Sequence, residues 1–256
     1  MEECLYIIIP AYNEAENIMD VINDWYPIIE NKNYIQVSGA KTCRLVIIDD
    51  GSSDETYNIL CDAAKTRPYL TPIHKENSGH GATVLYGYKY ALEHGADFVF
   101  QTDSDGQTSA SEFEKFWFRR NDYDMVIGWR DHRQDGFSRK VVTKVLKMVI
   151  RLCFGVTITD ANTPYRLMKS EPLKEAVQMI PDDFNLSNVL LSVIYAKKRR
   201  SVRFLPISFK ARQGGVNSIN LRKIIKIGKK ALQDFHDFNE KFEENLEDDA
   251  EKDTEI

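Results

Sequence analysis

Residues 44–56 read RLVIIDDGSSDET. From Arg44 to Ile48 the stretch is short, apolar and rich in branched side chains, which is the composition of a strand. It breaks off into two acids, a glycine and two serines, and Ser52 with Glu55 fits the S-x-x-E box that opens a helix. Thr56 to Lys65 then runs with helical period. A strand, a polar turn and a helix in succession make a βα unit.

The same succession recurs along the chain. Leu5 to Ile9, Phe98 to Thr102, Met125 to Gly128 and Val202 to Phe209 read as further strands. Glu16 to Ile29, Thr83 to His94 and Ser111 to Arg119 read as amphipathic helices, the last behind a second box, Ser109 to Glu112. This βαβα alternation predicts an open α/β sheet with crossovers.

In such sheets ligands bind beyond the carboxyl ends of the strands. Three polar clusters fall there: PAYNE (10–14), DDGSSDET (49–56) and DSDGQ (103–107). One cluster is ordinary turn chemistry. Three at one edge read as a binding site.

In DSDGQ, Asp103 and Asp105 alternate along an extended stretch, so both carboxylates can face one side, and Gln107 continues the alternation as a neutral oxygen donor. Two carboxylates this close oppose each other's ionisation unless a cation shares them. Oxygen ligands suit Mg²⁺ or Mn²⁺, and Mg²⁺ is commonly held by one or two carboxylates together with substrate phosphates. The ENSGHGA loop (76–82) places Gly79 and Gly81 ahead of a helix, where free N–H groups favour phosphate; His80 between them reads as a solvated loop histidine.

The chain has 256 residues, 43% hydrophobic and 29% charged, enough for one core or a main domain with an appendage, and too apolar for a disordered chain. Cys4, Cys43, Cys61 and Cys153 are widely spaced, which points to neither a zinc site nor a disulfide framework. No long apolar run and no basic leader precedes or interrupts these elements, so the chain is expected not to cross a membrane. Net charge is −5, yet residues 239–256 hold nine acids and two bases, leaving 32 bases against 30 acids elsewhere. That end reads as a solvated acidic tail.

IIIPAYNEAENI, VIIDDGSSDET, ENSGHGATVLYGYKYA and QTDSDGQ, in this order, resemble the family 2 glycosyltransferases of GT-A fold, over residues 5 to 215. The pattern is most similar to the polyprenyl-phosphate branch, the dolichyl-phosphate mannose synthase-like proteins. The resemblance implies a Rossmann-like mixed sheet with helices on both faces and a nucleotide-sugar donor. It places Pro10, Tyr12, Glu14, Asp50, Gly79, Gly81 and Ser104 around the nucleotide, and Asp103, Asp105 and Gln107 around the metal. Asp49 beside Asp50 is a candidate to cap the turn.

GWRDHRQDGFSR (128–139) offers Arg130, Arg133 and Arg139, whose guanidinium forks suit phosphate oxygens. DANTPYRLMKS (160–170) resembles the family's segment after the acceptor loop, with Asn162, Thr163, Pro164 and Tyr165 where others carry serine, glycine and phenylalanine. Asp160 is the candidate acceptor-side acid, and Arg166 a phosphate ligand or a structural partner.

A hydroxyl acceptor needs a general base, for which Asp160 is the candidate; a phosphate acceptor is already ionised. A single displacement without a covalent intermediate inverts the anomeric centre. The expected reaction moves a hexose from a UDP- or GDP-sugar to a polyprenyl phosphate. The alternatives are transfer to a hydroxyl of a growing cell-surface polysaccharide, and a non-catalytic nucleotide-sugar-binding subunit. Residues 139–152 and 219–238 are basic and amphipathic, which fits peripheral contact with a membrane, or with a membrane-anchoring partner, at its cytoplasmic face. The implied division is a GT-A domain over 1–215, an amphipathic helix over 216–238 and the tail over 239–256. Nothing points to nucleic acid.

Overall fold

The computed structural model describes residues 3–35, 41–130, 137–209, 232–236 and 238–239. They fall into two compact units, Met1–Arg133 with Thr159–Gly214, and Gln134–Ile158 with Gly215–Ile256.

The first unit is built on seven strands: β1 (Leu5–Ala11), β2 (Arg44–Asp50), β3 (Leu70–Lys75), β4 (Phe98–Thr102), β5 (Met125–Arg130), β6 (Tyr165–Lys169) and β7 (Val202–Ile207). Among the described residues the helices up to Lys197 are α1 (Ile18–Ile35), α2 (Thr56–Ala64), α3 (His80–Glu93), α4 (Phe113–Trp117), α5 (Phe137–Phe154), α6 (Ser170–Met179) and α7 (Ser187–Lys197). Strand order is β3-β2-β1-β4-β6-β5-β7. β6 runs antiparallel to both its neighbours, and the other pairings are parallel, so the sheet is mixed, as expected.

β1 is buried along its whole length, and its side chains divide between the two faces of the sheet. Leu5, Ile7 and Ile9 join Trp25, Ile29, Phe100 and Phe113 in one core cluster. Ile8 faces the other way, onto α3, where Gly87 lets the helix backbone come so close that a Cβ would stand 2.3 Å from Ile8 Cγ2. Helices therefore cover both faces. An aromatic knot fastens β4 and β6 to α1 and α4: Phe100 lies 4.7 Å from Tyr165, 5.1 Å from Phe113 and 5.3 Å from Trp25 between ring centroids.

β3 and β6 were not anticipated from sequence. β3 reads LTPIHK, and Pro72 is tolerated because β3 is an outer strand; Pro206 in β7 occupies the opposite edge for the same reason. β6 is short and begins Tyr-Arg, yet Tyr165 to Met168 are all buried.

Neither capping box forms: α2 and the turn at Ala110 have no side-chain hydrogen bond from their cap residues. Ser52 Oγ instead accepts the Asn13 N–H at 2.8 Å, and Asp54 Oδ1 accepts the Thr56 N–H at 3.0 Å. Glu112 reaches Lys115 and the Ser208 N–H.

In the second unit α5 buries Val149, Ile150 and Phe154, with Phe154 5.4 Å from Phe235 and 6.2 Å from Phe238 between ring centroids. The expected helix over 216–238 is described only at 232–236 and 238, which are helical; the rest of it, and the tail beyond Asn239, lie outside the described residues.

Candidate active site

β1, β2 and β4 are parallel, so the three polar clusters gather at one edge of the sheet. The first two are laced together. Asn13, at φ 54°, donates its N–H to Ser52 Oγ and accepts the Ser53 N–H at 2.9 Å. Asp49 does cap its turn, accepting the Ser52 N–H at 3.3 Å and lying 2.7 Å from His74 Nδ1.

A cavity of about 470 Å³ opens here, lined by Pro10, Tyr12, Glu14, Asp50, Gly79, His80, Thr83, Asp103, Ser104 and Asp105 among others. Eight of the expected donor-side residues thus meet in one place. Tyr12 leaves 51% of its surface exposed, a ring free to cover a flat ligand. A larger cavity of about 1070 Å³ lies among Lys41, Asp97, Lys169, Glu175 and Arg200. Its cations are already engaged, Lys41 with Asp97, Arg200 with Glu175 and Lys169 with the Asn121 carbonyl, whereas the smaller cavity gathers the residues expected at the site.

Asp50 organises the loop over the cavity rather than standing free. Its Oδ1 accepts from Lys75 Nζ at 2.6 Å and the Ser78 N–H at 2.9 Å, and its Oδ2 from the Gly79 N–H at 2.9 Å. Burial alone would raise its pKa, but the Lys75 ammonium with the Ser78 and Thr83 donors holds it below the ordinary carboxylate value. Gly79 sits at φ 90°, a conformation side chains resist. Gly81 does something else: a Cβ there would stand 2.3 Å from the Asn185 carbonyl oxygen, so it permits close packing and is not among the cavity's lining residues.

Asp103 is fixed from beneath. Gln101 donates to Asp103 Oδ1 at 3.0 Å, Asn188 of α7 donates to Gln101 Oε1 at 3.1 Å, and the Tyr88 hydroxyl donates to Asn188 Oδ1 at 2.9 Å. From above, His80 Nε2 lies 2.9 Å from the same Asp103 oxygen. The Asp103 charge raises the imidazole pKa against the opposing effect of burial, with Asp105 and Asp50 adding to the rise. His80, expected as a solvated loop residue, is exposed but belongs to the cavity wall. Asp105 Oδ1 accepts the Gln107 N–H at 3.1 Å.

The fit to a divalent cation is good for the aspartates. Among the described residues no three His, Cys, Asp or Glu side chains form a ready-made metal cage. Two hard carboxylates on an open cavity wall, with the His80 ring 2.9 Å from one of them, match a cation completed by ligand phosphates. Gln107 is buried, at 5% exposure, and is not among the residues lining the cavity.

On the acceptor side, β6 is antiparallel, so its start returns to the same edge: Thr102 pairs with Tyr165, and Ile127 of β5 with Arg166. Arg130, ending β5, grips Asp160 with Nε to Oδ2 at 3.0 Å and Nη2 to Oδ1 at 2.9 Å, and its guanidinium lies 5.1 Å from the Phe209 ring centroid. Arg166 is placed differently from a phosphate ligand. It is fully buried, and Nε, Nη1 and Nη2 donate to the Thr163, Asn188 and Ala161 carbonyls and to Ser192 Oγ at 2.9–3.3 Å. The structural alternative is realised: an arginine this enclosed has no donor to offer a ligand. Arg133 and the Arg139 side chain lie outside the described residues.

The family model of glycosyl transferase family 2 matches residues 6–177, well over half the chain. The chain belongs to glycosyl transferase family 2. The sequence resemblance, and with it the reading as a glycosyltransferase, is borne out. Relatives include the UDP-N-acetylglucosamine–dolichyl-phosphate N-acetylglucosaminyltransferase of Methanococcus voltae, 28% identical over 68% of this chain and 72% of its own length. The undecaprenyl-phosphate 4-deoxy-4-formamido-L-arabinose transferase of Pectobacterium carotovorum is 27% identical over 60% of this chain. This chain spans only 45% of that relative and 59% of its Pectobacterium atrosepticum counterpart. Among solved structures, glucosyl-3-phosphoglycerate synthase from Mycobacterium tuberculosis superposes with TM-score 0.64 at 15% identity, covering 92% of this chain and 80% of its own. The same enzyme with Mn²⁺, UDP and its product gives TM-score 0.61 at 16% identity, covering 90% of this chain and 77% of its own. That likeness establishes the fold.

In this family 2 glycosyltransferase, four residues of the site escaped sequence reading. Lys75 holds the loop through Asp50 Oδ1, the Glu76 carbonyl and Ser78 Oγ at 2.5–2.6 Å. Gln101, Asn188 and Tyr88 support Asp103. Gln101 stands one residue before the end of β4 and is fully buried, and a lone amide after an apolar run was the available signal; Asn188 and Tyr88 gave none, since their role depends on α7 meeting α3.

Proposed function

We propose that this chain transfers a hexose from a UDP- or GDP-sugar to the phosphate of a polyprenyl phosphate, with inversion. The observation that carries the reading is the state of Asp160. Both its oxygens are held by Arg130, so it is ill placed to take a proton from a hydroxyl, whereas an ionised phosphate needs no base. The names of the curated relatives, which transfer sugars to dolichyl and undecaprenyl phosphates, support the acceptor class.

In the proposed reaction a phosphate oxygen attacks the anomeric carbon. The bond from that carbon to the β-phosphate breaks, and its electron pair leaves with the nucleoside diphosphate. Tyr12, Glu14 and Asp50 with its loop receive the nucleoside, Gly79 and Ser104 its phosphates. Asp103 and Asp105 would hold Mg²⁺ or Mn²⁺, whose charge would offset that of the departing diphosphate. Arg130 orients the acceptor phosphate, with Arg133 and Arg139 in the same proposed role. The transferase domain lies within residues 1–215 and works at the cytoplasmic face of a membrane.

The test is a panel of UDP- and GDP-sugars with a short polyprenyl phosphate in detergent, with Mg²⁺, Mn²⁺ or chelator, and products identified by mass. A lipid sugar monophosphate formed only with metal is expected. Product confined to an added oligosaccharide would sink the phosphate reading, and nucleotide binding without turnover on any acceptor would leave a binding subunit.

A further inference from the structure

We propose that the solvent face of α5 is a docking surface for an anionic lipid bilayer. α5 has 18 residues and not one aspartate or glutamate. Val149, Ile150 and Phe154 are buried, Phe154 beside Phe235 and Phe238, and the opposite side is unlike an ordinary solvated helix face. Lys144, Lys147, Met148, Arg151 and Leu152 recur at intervals of three and four, so they share one face, and all are exposed. Met148 is 56% exposed and Leu152 71%.

A single exposed leucine needs no explanation, but here two long apolar side chains stack one turn apart inside a frame of three cations. Over the roughly 12 Å from residue 144 to 152, the lysine and arginine stems can lie beside the apolar pair while their charged ends reach outward. That arrangement matches the boundary of a bilayer: acyl chains take Met148 and Leu152, and anionic headgroups take the cations. The contact inferred is at the bilayer surface, since the apolar pair lies inside a frame of cations. The inference deepens the proposed lipid-phosphate function and rests on that reading for its purpose, but its test does not depend on turnover.

The test is co-sedimentation of the full chain with phosphatidylcholine vesicles and with the same vesicles containing phosphatidylglycerol. Binding is expected only with phosphatidylglycerol and should weaken as salt rises. Met148→Glu with Leu152→Glu should reduce it at least about tenfold, since apolar insertion is lost and two acids face the headgroups. Lys144→Gln, Lys147→Gln and Arg151→Gln together should reduce it roughly fivefold per charge at low salt. Circular dichroism of both variants is expected to match the parent. Failure of the parent chain to bind, equal binding to neutral vesicles, or undiminished binding by both variants overturns the proposal; so does self-association through the same residues in place of vesicle binding. Transfer to the detergent-solubilised acceptor, measured in parallel, should be unchanged in the Met148→Glu, Leu152→Glu protein. Absence of transfer by every protein, with vesicle binding intact, would overturn the proposed function and leave the surface standing.

Discussion

Arg130 and Asp160 form a two-pronged ion pair, Nε to Oδ2 at 3.0 Å and Nη2 to Oδ1 at 2.9 Å, with side chains only 13% and 10% exposed. Removing one partner strands the other in a poorly solvated place. Arg130→Ala should therefore lower stability by on the order of 3 kcal/mol, and Arg130→Ala with Asp160→Ala by clearly less than the two single losses combined. Urea unfolding of the three variants checks this, and simple additivity would refute the coupling.

Asp103 and Asp105 stand on the cavity wall where the departing diphosphate is proposed to lie. Asp105→Ala should lower transfer by two or more orders of magnitude, of order 3 kcal/mol at the transition state. Binding of Mn²⁺ with nucleoside diphosphate, measured by calorimetry, should weaken in parallel. Gln101→Ala, acting through Asp103, should lose about 10–100-fold and shift the metal titration without abolishing it.

The Asp50 carboxyl is held below its ordinary value by Lys75 and the loop donors, although burial opposes them. A depressed acid contributes stability that is fully present above its unfolded pKa, about 4, and is lost as pH falls through the lower folded value. Asp50→Asn should be less stable at neutral pH by on the order of 2–3 kcal/mol and should lack this part of the acid limb. Thermal melts from pH 7 downward test both; an unchanged acid limb would count against the assigned role.

Gly81 faces the Asn185 backbone with no room for a methyl group. Gly81→Ala should cost about 1–3 kcal/mol, lowering Tm by roughly 3–10 °C. Scanning calorimetry decides it, and an unaltered Tm would return Gly81 to the ligand.

Arg166 spends its guanidinium on buried carbonyls and a hydroxyl. Burial depresses its pKa, with no carboxylate among those hydrogen-bond partners to support the charge. Arg166→Ala should destabilise by about 3–5 kcal/mol, while KM for the acceptor in the folded fraction stays close to the parent value. A selective rise in that KM would restore a role in acceptor binding.

The strands at the centre of the sheet were legible because burial on both faces demands an unbroken apolar run, as in Leu5–Ile9 and Leu45–Ile48. The turn residues after them were legible because ligand chemistry and turn chemistry both call for acids, glycines and small hydroxyls. β3 was hidden by Pro72, which is allowed because among the described residues nothing pairs with its outer edge. The Ser52–Glu55 box misled because Ser52 found a partner across the edge, Asn13, thirty-nine residues away in sequence.

By itself the sequence determined the succession of elements, the family and the edge at which function gathers, because periodicity and composition are local properties. The tertiary structure decided which polar residue serves which purpose. Arg130 and Arg166 are the same side chain in sequence, and only the meeting of the Ala161–Thr163 turn with α7 encloses Arg166 in carbonyls and the Ser192 hydroxyl while Arg130 pairs with Asp160 at the edge. Charge says what a residue can bind; the fold alone says what remains for it to bind.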